Sequence, residues 1–288
     1  MKNDKLVLGT VQFGLPYGIN NDSGMPSLEN VFSILGFAKD NNIHFLDTAV
    51  GYGFAEERIG KFHSNNPTKI FEVNTKFSKG RIKDPLEQVI SSIERLKVSF
   101  INTIMFHSLY DYINNRDKIA LLFKESKDIH FKKFGVSVYT VEELEILKNI
   151  EEIEVVQVSF NLLDNESKKG AILSELKILG KEIHVRSCFL QGLFFKSTEK
   201  LTGKLKSLSK YLNIIKTIAK ENNLSTGQLA LCYCLSKPYI DYVLIGVDSK
   251  EQLQQNMNWA SKNLNKNIVS EVDRIDINDE ELLNPSKW

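Results

Sequence analysis

Two patterns of apolar and polar positions alternate along this chain. Short, nearly unbroken apolar runs predict buried strands, and longer stretches with apolar residues three or four apart predict amphipathic helices. The strands fall at Leu6–Thr10, Ile43–Asp47, Phe71–Lys76, Ile101–His107, Lys133–Ser137, Val155–Ser159, Glu182–Ser187 and Tyr242–Gly246. Helices are expected between them over Ser27–Asn41, Glu56–Phe62, Pro85–Leu96, Arg116–Lys127, Val141–Lys148 and Ser167–Leu179. Two more, Lys204–Asn222 and Ser225–Ser236, precede the last strand, and Lys250–Lys262 follows it. The first helix shows the logic: Ser27 suits an N-cap, and Leu28, Val31, Phe32, Leu35 and Ala38 share one face.

The strand ends Asp47, Lys76, His107 and Ser137 recur at a period of about 30 residues, which makes each strand-plus-helix a repeating unit. Eight such units predict a (β/α)8 TIM barrel, an α/β fold. No linker divides the chain, so residues 1–288 are expected to form a single domain with a polar C-terminal tail from about 264 to 288. A doubly wound open sheet is the rival. It would more often carry G-x-G-x-x-G after its first strand, and Gly9-Thr10-Val11-Gln12-Phe13-Gly14 is not that motif.

In barrels of this kind the active site lies at the carboxyl ends of the strands. That rule gathers Asp47, Tyr52, Lys76 and His107 at one mouth. Singly, each has a plainer reading: an N-cap acid, a loop tyrosine, a solvated lysine, a packed histidine. Their convergence on one rim carries the functional reading. A phenol is a poor proton donor at neutral pH, and a buried ammonium beside it would lower its pKa. Asp47 would keep the ammonium charged, and His107 could donate a hydrogen bond to a substrate oxygen. The set reads as a proton donor aimed at a carbonyl. None of these groups delivers hydride, so a nicotinamide cofactor is expected alongside.

Composition narrows the setting. With 37 basic and 36 acidic residues the net charge is +1, and no run of one sign points to nucleic acid or an anionic membrane. No apolar run is long enough to span a bilayer or to form a signal peptide. The cysteines are Cys188, Cys232 and Cys234, an odd and sparse set that suits a reducing cytoplasm and implies neither disulfides nor a zinc site. A small-molecule substrate is therefore expected, with no nucleic acid, membrane or metal partner.

These residues sit in segments that resemble the aldo-keto reductase family. Leu8–Gly14 looks like the family's first strand, and Phe45-Leu46-Asp47-Thr48-Ala49 with Tyr52-Gly53 looks like its most specific motif. Phe134–Tyr139, Gln157–Asn161 and Tyr242–Gly246 through Gln252 and Asn256 match later ones, so the likeness covers about residues 6 to 260. It implies an NADP-dependent reductase, with NAD the alternative, acting on a small carbonyl substrate. Tyr52 would be the general acid, tuned by Lys76 and Asp47, with His107 orienting the carbonyl. Ser137 and Gln157 would hold the nicotinamide carboxamide. Gly246 and Val247 would border the adenosine phosphate, and Gln252 and Asn256 the adenine end. Gly9, Thr10, Arg186, Ser187, Leu190 and Gly192 would complete the cofactor site. Loop residues Tyr17, Phe54, Leu109 and Tyr110 are the expected substrate contacts.

Three positions depart from the family pattern. Val138 replaces an asparagine, Arg186 replaces an aromatic residue that stacks on the nicotinamide, and Gly246 replaces a lysine used for the 2′-phosphate of NADP, with Asp248 close behind. Arg186 could meet either the cofactor or an anionic group on the substrate. The run Arg186–Gly192 resembles a bacterial subgroup often found with surface-polysaccharide or sugar-nucleotide genes, which implies a sugar-derived carbonyl. Two other readings stand beside the reductase. One is a nicotinamide-binding sensor or partner subunit with little turnover. The other is an aldolase- or isomerase-like barrel with Lys76 as a Schiff-base lysine, which the adjacent Asp47 would oppose.

Overall fold

Eight parallel strands pair in chain order and close on themselves: β1 Leu6–Gly9, β2 Phe45–Asp47, β3 Glu72–Lys76, β4 Ile101–Phe106, β5 Phe131–Val138, β6 Val155–Ser159, β7 Glu182–Arg186 and β8 Tyr242–Gly246. β8 returns to pair with β1, so no strand edge is left open. The structure is a computed structural model that describes residues 2–21, 24–127, 129–284 and 287–288. The expected (β/α)8 barrel is the observed one.

Helices α1 Leu28–Asp40, α2 Ala55–Asn65, α3 Pro85–Leu96, α4 Leu109–Ser126, α5 Val141–Leu147 and α6 Glu166–Ile178 alternate with the strands. After β7 come α7 Ser209–Glu221 and α8 Thr226–Ser236, and after β8 come α9 Lys250–Ala260 and α10 Lys266–Asp273. Their starts are written in the sequence. Ser27, Asp84, Ser108, Thr140, Ser225 and Ser249 each accept a backbone N–H in the first turn. β4 is buried along its whole length, because helices cover one side of it and the barrel interior the other. Between strands and helices, Phe106 and Phe134 meet edge to face with ring centroids 5.8 Å apart. Each fully buried side chain of this size contributes about 1.5–3 kcal/mol.

Three segments differ from the sequence expectation. The helix expected from Arg116 begins at Leu109, because Ser108 Oγ accepts the Asp111 N–H and donates to Asp111 Oδ2, closing the first turn early. The helix expected over Lys204–Asn222 is broken: Gly203–Leu208 is a 3-10 turn and α7 starts at Ser209. Leu205 and Leu208 stand three apart, the spacing at which a 3-10 turn aligns side chains. The stretch expected to be a polar tail holds α10, and Val272, Ile275, Ile277, Leu282 and Leu283 within it are buried. Asn165 Nδ2 donates to the carbonyls of Val272 and Ile275, both at 2.9 Å, and ties this segment to the start of α6. Pro285 and Ser286 of the expected tail lie outside the described residues. Among the described residues no helix is long and apolar enough to cross a membrane, and the three cysteines are buried and form no disulfide.

Candidate active site

Asp47 ends β2, level with Gly9 of β1 and Asn74 of β3. Alternate residues of a strand face the same way, so Lys76, two beyond Asn74, shares its side of the sheet. Lys76 Nζ lies 2.5 Å from Asp47 Oδ1 and donates to the Thr48 carbonyl at 3.1 Å. From across the barrel, Gln157 Nε2 donates to Asp47 Oδ2 at 2.7 Å. The Asp47 backbone carbonyl accepts the Thr10 hydroxyl at 2.9 Å. Burial lowers the Lys76 pKa, and the charge and hydrogen bond of Asp47 oppose that fall.

Tyr52 is carried on the loop between β2 and α2, and two glycines fix that loop. A Cβ on Gly14 would lie 1.8 Å from the Tyr52 carbonyl oxygen. Gly53 has φ +54° and its Cβ would lie 2.4 Å from the Gly14 carbonyl oxygen. Backbone packs directly on backbone there, which only glycine permits. Below the loop, Glu56 accepts the Thr75 hydroxyl at 2.7 Å and Arg95 Nε at 2.8 Å, fastening α2 to β3 and α3.

The Tyr52 ring lies beside both other groups. Its centroid is 5.5 Å from Lys76 Nζ and 6.1 Å from the His107 ring. The expectation that Lys76 lowers the Tyr52 pKa is corrected here. The pKa is raised, by burial first and then by the Asp47 charge, with Arg186 acting in the opposite sense. Tyr52 is therefore held as a neutral O–H.

His107 is corrected in a similar way. Its Nδ1 lies 2.8 Å from the Phe77 carbonyl oxygen. A carbonyl can only accept, so the ring hydrogen is on Nδ1. Burial, followed by the Lys76 charge, lowers its pKa to about 4. In the neutral ring Nε2 is a lone-pair acceptor, not the donor expected from sequence.

A cavity of about 710 Å³ opens over these four residues and runs to α9. Gly9, Thr10, Tyr17, Ser137, Gln157, Arg186, Ser187, Gly192, Gly246, Gln252 and Asn256 line it, as the sequence reading anticipates. Five anticipated residues are not among its lining. Leu190, Val247 and Leu109 are buried in the packing, while Phe54 and Tyr110 point to solvent at 58% and 71% exposure. Leu109 and Tyr110 belong to the first turn of α4 and Phe54 caps α2, so none of the three is free loop.

Further lining residues were not singled out from sequence: Gln12, Lys79, Tyr139, Gln255 and Trp259. A signal existed for two of them. Gln252, Gln255, Asn256 and Trp259 stand at i, i+3, i+4 and i+7 on α9, one helical face. Gln12 carries no such mark. It lies against Gly246, where a Cβ would be 2.5 Å from its Nε2, and its Oε1 is buried without a hydrogen-bond partner.

The lining suits a nicotinamide dinucleotide. Ser137 Oγ accepts Arg186 Nε at 3.2 Å and keeps its own proton to donate. Gln157 spends an N–H on Asp47 and keeps its amide oxygen to accept. A carboxamide needs one of each. Gln12 Oε1 offers a further acceptor beside the bare Cα of Gly246.

The profile of the Aldo/keto reductase family matches residues 5–277. The Aldo-keto reductase str7 of Strobilurus tenacellus is 26% identical over 277 residues, covering 85% of this chain and 80% of that protein. Among solved structures, the aldo-keto reductase AKR11C1 from Bacillus halodurans (holo form) superposes with a TM-score of 0.76 at 19% identity, covering 94% of this chain and 91% of that one. The glycerol dehydrogenase AKR11B4 from Gluconobacter oxydans does so at 0.71 and 20% identity, covering 94% and 90%. At these identities the two structures speak for the fold alone.

Proposed function

Because the chain belongs to the aldo/keto reductase family, we propose that it reduces an aldehyde or ketone, on sequence grounds a sugar-derived one, to the alcohol. The observation that carries this reading is the gathering of Asp47, Tyr52, Lys76 and His107 under one cavity. When bound, the nicotinamide supplies the hydride. Tyr52 holds the proton that the carbonyl oxygen takes up, and its raised pKa keeps that proton in place until the oxygen becomes basic. The phenolate left behind faces the Lys76 ammonium, whose charge then has an anion to stabilise as well as Asp47. His107 Nε2, an acceptor, suits the hydroxyl of the product or a hydroxyl next to the carbonyl. Ser137, Gln157 and Gln12 would hold and orient the cofactor.

The sequence expectation favoured NADP slightly, and the lining argues for NAD. The resemblance puts the adenosine end at Gly246, Gln252 and Asn256. The described lining there includes the carboxylate of Asp248 and no lysine or arginine. A 2′-phosphate would meet a like charge. The Schiff-base alternative is disfavoured, since Lys76 is engaged by Asp47 and the Thr48 carbonyl. The test is loss of nicotinamide absorbance when NADH or NADPH is mixed with the protein and a panel of aldehydes. Consumption that requires both aldehyde and Tyr52 supports the reading, and none across the panel overturns it.

A further inference from the structure

Arg186, the last residue of β7, is immobilised in the cavity wall without a counter-charge. Its Nε donates to Ser137 Oγ at 3.2 Å and its Nη2 to the Val138 carbonyl at 3.0 Å. Its guanidinium carbon lies 4.0 Å from the centroid of the Tyr139 ring. All three partners are neutral, and among the described residues no carboxylate stands within ion-pair distance of it. A guanidinium has five N–H donors, so most remain uncommitted on a group whose edge and one face are already fixed.

The cavity's own acids are engaged elsewhere. Asp47 is shared by Lys76 and Gln157. Asp111 accepts the Gly80 N–H and the Ser108 hydroxyl, one on each oxygen. Asp248 accepts Asn21 Nδ2 at 3.3 Å toward the α9 end. A half-buried cation with neutral partners has an unmet demand for an anion. Arg186 is also near the reacting groups, since its charge lowers the pKa of Lys76 and opposes the upward shift of Tyr52. Lys79, exposed on the same lining, adds a second positive charge beside His107.

We propose that Arg186 is the receptor for an anionic oxyacid group, a carboxylate or phosphate, carried by the carbonyl substrate. The planar fork fits either group in a bidentate manner, and the Tyr139 face and two hydrogen bonds hold it ready for that purpose. The proposal rests on the reductase reading and narrows its substrate to an acidic carbonyl compound.

The experiment compares acidic carbonyl compounds with their neutral analogues. 2-, 3- and 4-carboxybenzaldehyde are assayed against their methyl esters, and glyceraldehyde 3-phosphate against glyceraldehyde. The protein with Arg186, the Arg186→Gln variant and the Arg186→Lys variant are used, each saturated with cofactor. The expected result is that at least one acid exceeds its neutral partner in kcat/KM by about tenfold or more. That ratio should collapse in Arg186→Gln and recover in part in Arg186→Lys. The carboxylate and phosphate arms tell the two anions apart. A ratio near one in the unaltered protein, or one that Arg186→Gln leaves unchanged, overturns the proposal. So does a variant that weakens cofactor binding and leaves the ratio intact, because the guanidinium would then serve the cofactor. If no aldehyde turns over, the reductase reading fails on its own, and calorimetric titration decides the anion site: benzoate should bind and its neutral isostere benzamide should not, with Arg186→Gln abolishing the difference. Equal heats from both compounds overturn it.

Discussion

Lys76 Nζ lies 2.5 Å from Asp47 Oδ1, with the two side chains only 2% and 3% exposed. Removing one partner of such a pair strands the other charge in the barrel. Asp47→Asn should cost about 3–5 kcal/mol of unfolding free energy in urea. The double variant Asp47→Asn/Lys76→Met should recover a large part of that loss, because a neutral pair of similar size avoids the desolvation of both ions. A double variant as unstable as the sum of its single changes would show that the two charges do not stabilise one another.

Tyr52→Phe should remove the proton donor and leave the cavity intact. The expected effect is a fall in kcat of at least about a hundredfold, the lower range for general acid catalysis. Nicotinamide affinity, read by fluorescence titration, should change by less than about twofold. Retained turnover would assign the proton to another group.

Acid should destabilise the fold through His107. Its folded pKa is about 4, below the ordinary 6.5. From pH 6.5 down toward 4 the unfolded chain binds a proton that the folded ring refuses. The stability it contributes is complete above 6.5 and drains away at up to about 1.4 kcal/mol per pH unit as pH falls. Near pH 5, about 2 kcal/mol should be lost. His63 shifts in the same direction, chiefly through burial, which outweighs the opposing hydrogen bond to the Leu96 carbonyl. The check is therefore a difference: urea unfolding of His107→Gln should show a shallower loss between pH 7 and 5 than the unaltered protein.

Cofactor preference should follow Asp248. NADH is expected to bind about tenfold more tightly than NADPH. Asp248→Asn should narrow that gap by improving NADPH binding, with NADH little changed, as read by nicotinamide fluorescence. Tighter binding of NADPH to the unaltered protein would refute the assignment. A lysine at Gly246 would require the Gln12 amide to move, since its Cβ would lie 2.5 Å from Gln12 Nε2.

Much of the barrel was legible because its signals are local. Strand and helix periods differ within a few residues, and Ser27, Asp84 and Ser249 mark helix starts by short-range capping. With the strand order settled by the repeat, the rule for parallel barrels carries Asp47, Lys76 and His107 to one rim without any distance being known. The start of α4 is also a local signal, the Ser108 cap, and it places Leu109 and Tyr110 in a helix where the sequence reading expects a loop.

What only the tertiary structure decided are the interactions between distant segments. Gln157 reaches Asp47 from 110 positions away, Phe77 determines which nitrogen of His107 carries its hydrogen, and Val272 is buried where Asn165 ties down the end of α10. The Tyr52 pKa depends on burial first and then on opposed charges at short range, and a sequence names those groups without their separations. Residue type and spacing determined which groups stand at the mouth of this barrel. The direction in which each is polarised came from packing, because electrostatic fields depend on distance and burial, which no linear pattern encodes.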